Sequence, residues 1–343
     1  MAVTVANTLY VTTQGAYISK EHESLVVKFE KEELLRIPRL HVGGVVCFGR
    51  VGMSPDAMGA CMDEGIDVTF VSESGRFLGR VVGTGAGSVV LRRTQHRAAD
   101  DPSQCAELAR SFITGKVANT RTFVQRAMRD GDDEARSAGA SVVDSLARGL
   151  SQLERAESVD VLRGLEGEAA ARYFGWFDHA LRTREEGLRF KGRSRRPPRD
   201  PVNAMLSFGY TMLMHDCVAA LGSAGLDPDV GFLHEERPGR PSLALDLMEE
   251  LRVAFVDRMV VAMVNLGQVR ERDFVVRDGG GVEMTEATRK LFLTEYQTRK
   301  RDTVTHPYTG DEVRWGMVAM VQARLLARAI RGDLRPYPPF VMK

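Results

Sequence analysis

The residues of this chain best suited to chemistry lie between Gly231 and Leu251, in the stretch GFLHEERPGRPSLALDLMEEL. His234 sits in a loop rich in Glu, Arg and Pro, and the helix predicted after it carries Asp246, Glu249 and Glu250. Residues three and four apart are neighbours on a helix, so Asp246 lies beside both glutamates and negative charge gathers on one side. Such crowding is costly unless a cation or basic side chains offset it. By spacing alone, the three acids also fit a solvated helix face opposite Leu243, Leu247 and Leu251. Far away in sequence, Glu166 stands between Gly164 and Gly167 in an otherwise helical run. Glycine inside a helix costs about 1 kcal/mol relative to alanine. The pair therefore points to a close backbone approach, or to a helix start or kink.

Phosphate is the natural partner of the chain's basic residues. The formal net charge is only +1, but the charges are segregated. Arg182, Arg184, Arg189, Lys191, Arg193, Arg195, Arg196 and Arg199 crowd one segment against two acids, Glu185 and Glu186, while acidic residues collect between Asp130 and Glu168. Arginine forks pair bidentately with phosphate, so this run is a candidate phosphate-contact loop, which the family resemblance given below would make a DNA contact. Its flanking prolines equally suit a disordered basic linker. Arg237 and Arg240, close to His234, either contact phosphate or balance Asp246 and Glu250.

The elements that must position these residues fall into two kinds. Up to about residue 85, short β-branched or apolar runs (Leu9 to Val11, Leu25 to Phe29, Val45 to Phe48, Val68 to Val71, Phe77 to Val82) alternate with turn residues such as Gln14-Gly15 and Glu73-Ser74-Gly75 and read as strands. One helix interrupts them, opened by the N-cap Ser54 and by Pro55. The Gly-rich segment 83–88 reads as a hinge. Gly83, Gly85 and Gly87 lack the lysine and Ser/Thr of a phosphate-binding loop. Beyond residue 100 the apolar period becomes helical, with helices expected at about 103–128, 136–155, 159–182, 201–224, 241–268, 285–301 and 312–331. Pro336, Pro338 and Pro339 mark an irregular tail. Met205, Leu206, Phe208, Met212 and Leu213 are expected core, Asn203 a cap or site support, and Tyr173 either core or a neighbour of Glu166. The expected architecture is α+β. A β-rich, sandwich-like domain (1–85) and a connector (86–100) lead to a larger all-α domain (101–343) that holds the site.

Length and composition narrow the function classes. At 343 residues the chain can bury two cores. Cys47, Cys61, Cys105 and Cys217 form no CxxC pair, which argues against a disulfide framework or structural zinc and fits a reducing compartment. No run of about 18 apolar residues occurs and the N-terminus lacks signal-peptide character, so no membrane and a cytoplasmic location are expected. A di-iron helical bundle would need Glu-x-x-His elements, and the chain has none.

Four ordered blocks, RGLEGEAAARYF (163–174), DPVNAMLSFGY (200–210), GFLH (231–234) and SLALDLMEELR (242–252), together resemble the CRISPR-associated protein one family of spacer-acquisition endonucleases and integrases. The opening NTLYVTTQGAY (7–17) and the closing YPPF (337–340) look like its type I-C form. The resemblance implies that Glu166, His234 and Glu249 occupy three metal-ligand positions and Asp246 the acidic position one turn earlier. Glu249 departs from the Asp common there by one methylene, and on spacing alone Glu250 is an equal candidate. Two carboxylates and an imidazole suit Mg²⁺ or Mn²⁺. The family's partners would then be double-stranded DNA (protospacer and CRISPR repeat), a second copy of this chain, and CRISPR-associated protein two bridging two dimers. The competing reading is a catalytically silent DNA-binding scaffold.

Overall fold

A computed structural model describes residues 7–73, 77–81, 83 and 89–342. The N-terminal part runs β1 (Asn7–Val11), β2 (Tyr17–Glu21), β3 (Ser24–Phe29), β4 (Glu32–Pro38), β5 (Val42–Phe48), β6 (Gly52–Met53), α1 (Pro55–Asp63), β7 (Asp67–Val71) and β8 (Phe77–Val81). These form two four-stranded sheets, ordered β1-β5-β7-β8 and β4-β3-β2-β6. In the first sheet β5 lies parallel to both its neighbours, β1 and β7. Successive side chains of a strand point to opposite faces. Val45 and Cys47 therefore join Ile18, Leu25 and Val27 of the second sheet in one core, while Val46 and Phe48 face the helical region, where Phe48 meets the Phe208 ring at 5.9 Å. Ser54 caps α1 as expected, accepting from Ala57 N at 3.2 Å. β2, β4 and the two-residue β6 were invisible to an apolar-run search, the first two for a physical reason. β4 is exposed along most of its length and only one residue of β2 is fully buried, so neither carries an apolar signature.

The larger C-terminal region is helical: α2 (Val89–Ala99), α3 (Pro102–Asp130), α4 (Asp133–Leu153), α5 (Val159–Trp176), α6 (Pro201–Ser223), α7 (Ser242–Leu251), a π-helical segment Arg252–Asp257, α8 (Arg258–Asn265), β9 (Phe274–Val276), β10 (Val282–Met284), α9 (Glu286–Arg301), β11 (Thr303–Thr305), β12 (Glu312–Arg314) and α10 (Trp315–Arg331). It is not all-α. β9 with β10, and β11 with β12, form antiparallel hairpins of three-residue strands, too short to show a period. The expected connector 86–100 is also corrected, because α2 fills most of it. Leu91, Gln95 and Ala98 make a buried stripe at helical spacing. Gln95 donates to Asp227 O at 2.7 Å and Val230 O at 2.9 Å, tying α2 to the loop that leads to His234. The Gly-rich hinge at 84–88 and the Ser74-Gly75 turn lie outside the described residues. By length and composition α6 could cross a membrane, but it is buried on most of its faces at the centre of the bundle, which accounts for its apolar character.

Candidate active site

Three helices and one loop converge on the site. α5 brings Glu166, α7 brings Asp246 and Glu249, the loop 231–234 brings His234, and α3 brings Lys116. The loop is shaped by Asp246, which is fully buried. Its Oδ2 accepts from Phe232 N at 2.7 Å and Leu233 N at 3.0 Å, and its Oδ1 accepts from His234 N at 2.9 Å. Oδ1 also lies 2.6 Å from His234 Nδ1. The carboxylate oxygen there accepts from Nδ1–H, so in the neutral imidazole the lone pair is on Nε2, which lies 3.7 Å from Glu249 Oε1. Gly231 permits this close folding, since a Cβ on it would meet Ser242 Cβ at 2.8 Å and Asp246 Oδ2 at 3.0 Å. Arg163, one turn before Glu166 on α5, adds a second clamp by donating to Leu233 O at 2.9 and 2.7 Å. The loop is thus held from α7 below and α5 above, with the His234 imidazole between them.

Glu249 is almost wholly buried and lies within ion-pair distance of three cationic or imidazole groups: Lys116 Nζ at 2.7 Å, Arg252 Nη1 at 2.9 Å and His234 Nε2. Burial by itself would raise its pKa, but Arg252, Lys116 and His234 reverse that and hold the carboxyl well below the usual range. Its Oε2 has no well-aligned hydrogen-bond donor even though Lys116 is near. Lys116 also donates to Glu166 Oε1 in a very short contact. One ammonium therefore stands between the two carboxylates. Among the described residues, no group of three or more His, Cys, Asp or Glu stands in ligating geometry.

Glu250 is removed from the site. One residue on from Glu249, it is turned about 100° round the helix and faces the C-terminal tail. There it accepts from Tyr337 Oη at 2.6 Å, Gln322 Nε2 at 3.0 Å and Phe340 N at 2.5 Å. Burial pushes it up to about 7 against these donors. The grouping of all three acids on one side is thus corrected: Asp246 and Glu249 face the loop, Glu250 the tail. Arg237 and Arg240 make their direct contacts with Glu235, while the Asp246 charge acts on Arg240 through space. Arg237 donates to the Glu235 carboxylate at 2.9 Å and Arg240 reaches the Glu235 carbonyl at 3.5 Å. Gly164 and Gly167 are corrected too, because nothing lies within 4 Å of a Cβ built on either.

The basic run is an ordered loop whose side chains divide by exposure. Arg182, Arg184, Lys191, Arg195, Arg196 and Arg199 are exposed. Arg189 pairs with Asp178 at 2.5 Å. Arg193 folds inward, donating to Asn203 Oδ1 at 2.7 Å and Ser207 Oγ at 3.3 Å. Its guanidinium carbon and that of Arg252 lie 5.4 and 5.3 Å from the centroid of the Tyr210 ring. Asn203 supports the loop, also donating to Gly192 O at 2.7 Å. Tyr210 and Tyr173 donate to Asp257 at 2.6 and 2.8 Å, at the end of the π-helical segment. A cavity of about 20 Å³ beside these groups, bordered by Lys116, Tyr173, Arg193, Tyr210, Arg252 and Asp257, has room for about one water. The sequence reading missed Lys116, Arg163 and Arg252. Faint signals existed: a lone lysine among the apolar residues of α3, and arginines one helical turn from Glu166 and Glu249.

Burial pushes Asp257 up to about 6, against the lowering by Tyr210 and Tyr173. Between its ordinary value of 3.8 and about 6, the native state keeps a proton that the unfolded chain has shed. The stability this group contributes is therefore full below about pH 4 and lost as pH rises through about 6, by about 1.4 kcal/mol per unit. Asp257→Asn should flatten that fall when urea midpoints are compared at pH 4.5 and 6.5, and equal falls in both proteins would refute the assignment.

Comparison with known proteins gives this arrangement a family. The profile described as CRISPR associated protein Cas1 matches residues 9–298. The chain is 45% identical over 338 residues to "CRISPR-associated endonuclease Cas1 1" of Chlorobaculum tepidum, covering 98% of each protein. It is 46% identical over 342 residues to "CRISPR-associated endonuclease Cas1 2" of Rhodospirillum rubrum, again covering 98% of each. Among solved structures, a casposase bound to integration product shares the fold with a TM-score of 0.83 at 23% identity, over 98% of this chain and 94% of that one. Identity of this extent over nearly the full length shows that the chain belongs to the CRISPR-associated Cas1 family.

Proposed function

We propose that the chain is a divalent-metal-dependent DNA endonuclease and integrase of CRISPR adaptation. In this reading it inserts DNA fragments into the CRISPR array when the fragment's 3′-hydroxyl attacks a repeat phosphodiester. The observation that carries the reading is the convergence of Glu166 and Glu249 on one cationic position, with the His234 Nε2 lone pair facing Glu249. The endonuclease names of the two relatives and the integration product held by the casposase point the same way.

The donor set fits a hard divalent cation. Two carboxylates and one neutral imidazole suit Mg²⁺ or Mn²⁺, and the buried Glu249 Oε2 lacks an aligned donor. Glu166, His234 and Glu249 would hold the ion, which when bound would neutralise charge developing on the phosphodiester. The remaining work falls to side chains. Asp246 fixes the tautomer and direction of His234, so it orients a ligand and does not bind the ion itself. Arg252 holds Glu249 by Oε1, the oxygen nearest His234 Nε2, and its guanidinium is fixed against the Tyr210 ring. The exposed Arg182, Arg184, Lys191, Arg195, Arg196 and Arg199 would contact the DNA backbone. A homodimer, and a bridging CRISPR-associated protein two, complete the proposed assembly.

The scaffold alternative draws on Lys116, whose ammonium neutralises the carboxylates with no metal needed. A strand-transfer assay with 3′-hydroxyl DNA and a repeat-containing target, in Mg²⁺ and in Mn²⁺, separates the two. Glu166→Ala should reduce product about a hundredfold or more, whereas equal product from both proteins would favour the scaffold.

A further inference from the structure

We infer that Lys116 is the built-in counter-ion of this site and competes with the divalent cation for Glu166 and Glu249. This rests on the proposed metal reading and adds a residue to it. The ammonium contacts both carboxylates, and the lysine side chain is only 12% exposed. Its stem rises from α3 between the buried Ile113 and Val117. Lysine is a point charge with rotatable donors, so it can stand where an ion would stand and also leave.

Charge counting gives the consequence. Glu166 and Glu249 carry two negative charges, and Lys116 and Arg252 two positive ones, so these four groups are neutral together. His234, neutral in this reading, donates to Asp246, whose carboxylate adds one negative charge beside these four groups. A divalent ion between the same carboxylates would face the ammonium at close range in a poorly screened interior, where like charges repel strongly. The ion can therefore enter only as the ammonium withdraws from one or both carboxylates. The ion would leave these four groups with two positive charges in excess, one met by Asp246 and the other by phosphodiester charge. Lys116 borders the same small cavity as Arg193, Arg195 and Arg252, and of these Arg195 is exposed, where a phosphate would approach. A site of this kind is stable without metal, binds metal weakly on its own, and binds it better together with DNA.

The test is Mn²⁺ binding to the full-length chain without DNA, followed by the electron paramagnetic resonance signal of free Mn²⁺. Wild type, Lys116→Met, Lys116→Gln and Glu166→Gln would be compared. Both lysine variants should bind Mn²⁺ at least tenfold more tightly than wild type, and Glu166→Gln more weakly. Should Lys116→Met fail to fold with two uncompensated carboxylates, the Gln variant, which still donates hydrogen bonds, carries the comparison. If wild type binds and Glu166→Gln does not, while the lysine variants bind no more tightly than wild type, the competition is overturned and the metal reading stands. If Glu166→Gln binds as well as wild type, or no variant binds at all, the metal reading falls and the inference with it.

Discussion

Asp246→Asn should cost the protein about a hundredfold or more in strand transfer, although Asp246 is proposed to touch neither metal nor DNA. The reason lies in the four contacts this buried carboxylate makes. An asparagine has the same shape but one donor end. Placed at the Oδ2 position, its amide would face the fixed N–H groups of Phe232 and Leu233, two donors with no way to turn aside. Placed at the Oδ1 position, it opposes the fixed His234 N–H and also meets His234 Nδ1, where the imidazole can respond only by moving its proton to Nε2. That tautomer points an N–H at the Glu249 side and removes the lone pair proposed for the ion. Mn²⁺ affinity should fall along with strand transfer, while the folded state survives at reduced stability. Retention of activity within about threefold of wild type would mean that the His234 tautomer is not set by Asp246.

Glu250→Ala should be among the most destabilising single substitutions in the chain, at about 3 to 5 kcal/mol. Glu250 gathers the tail onto the bundle through Tyr337, Phe340 N and Gln322. Asn119 closes the same knot, donating to Glu250 O at 2.7 Å and Phe340 O at 2.8 Å and accepting from Met342 N at 2.7 Å. Truncation leaves buried donors without an acceptor and opens a void under two aromatic side chains, Tyr337 and Phe340, which are almost wholly buried. Glu249 shares the helical turn, so loss of the knot should also loosen the site. A lowered urea midpoint, together with faster proteolysis of the tail, would be the expected record. A change of less than about 1 kcal/mol would show that the tail holds on without this carboxylate.

These two residues also show where sequence reasoning stopped. Helix limits were readable because each helix writes its buried face into a local period and its ends into caps. α3, α6 and α9 begin and end within two residues of the expected positions, and Pro102, Pro201 and Thr285 mark their starts by local chemistry alone. β5 was readable as a run of apolar residues because it is buried on both faces. α2 was not, since only three of its residues are buried and basic residues surround them.

The site divides in the same way. His234 and an acidic helix after it were visible as residue types, and the family resemblance joined the distant Glu166 to them. Which carboxylate faces which partner was outside the reach of spacing, because adjacent residues on a helix point about 100° apart and only the neighbours decide which direction is the site. The loop of Gly231 to His234 claimed one side of α7 for Asp246 and Glu249, and the tail claimed the other for Glu250. Lys116 and Arg163 belong to helices separated from α7 by many residues of chain. Their roles arise from how α3, α5 and α7 pack, a non-local outcome that local periodicity does not encode. The sequence by itself determined the larger helices, the most buried strands, the reactive residue types and the family. Tertiary packing alone decided that one lysine stands between two glutamates, and that neighbouring acids on α7 do opposite jobs.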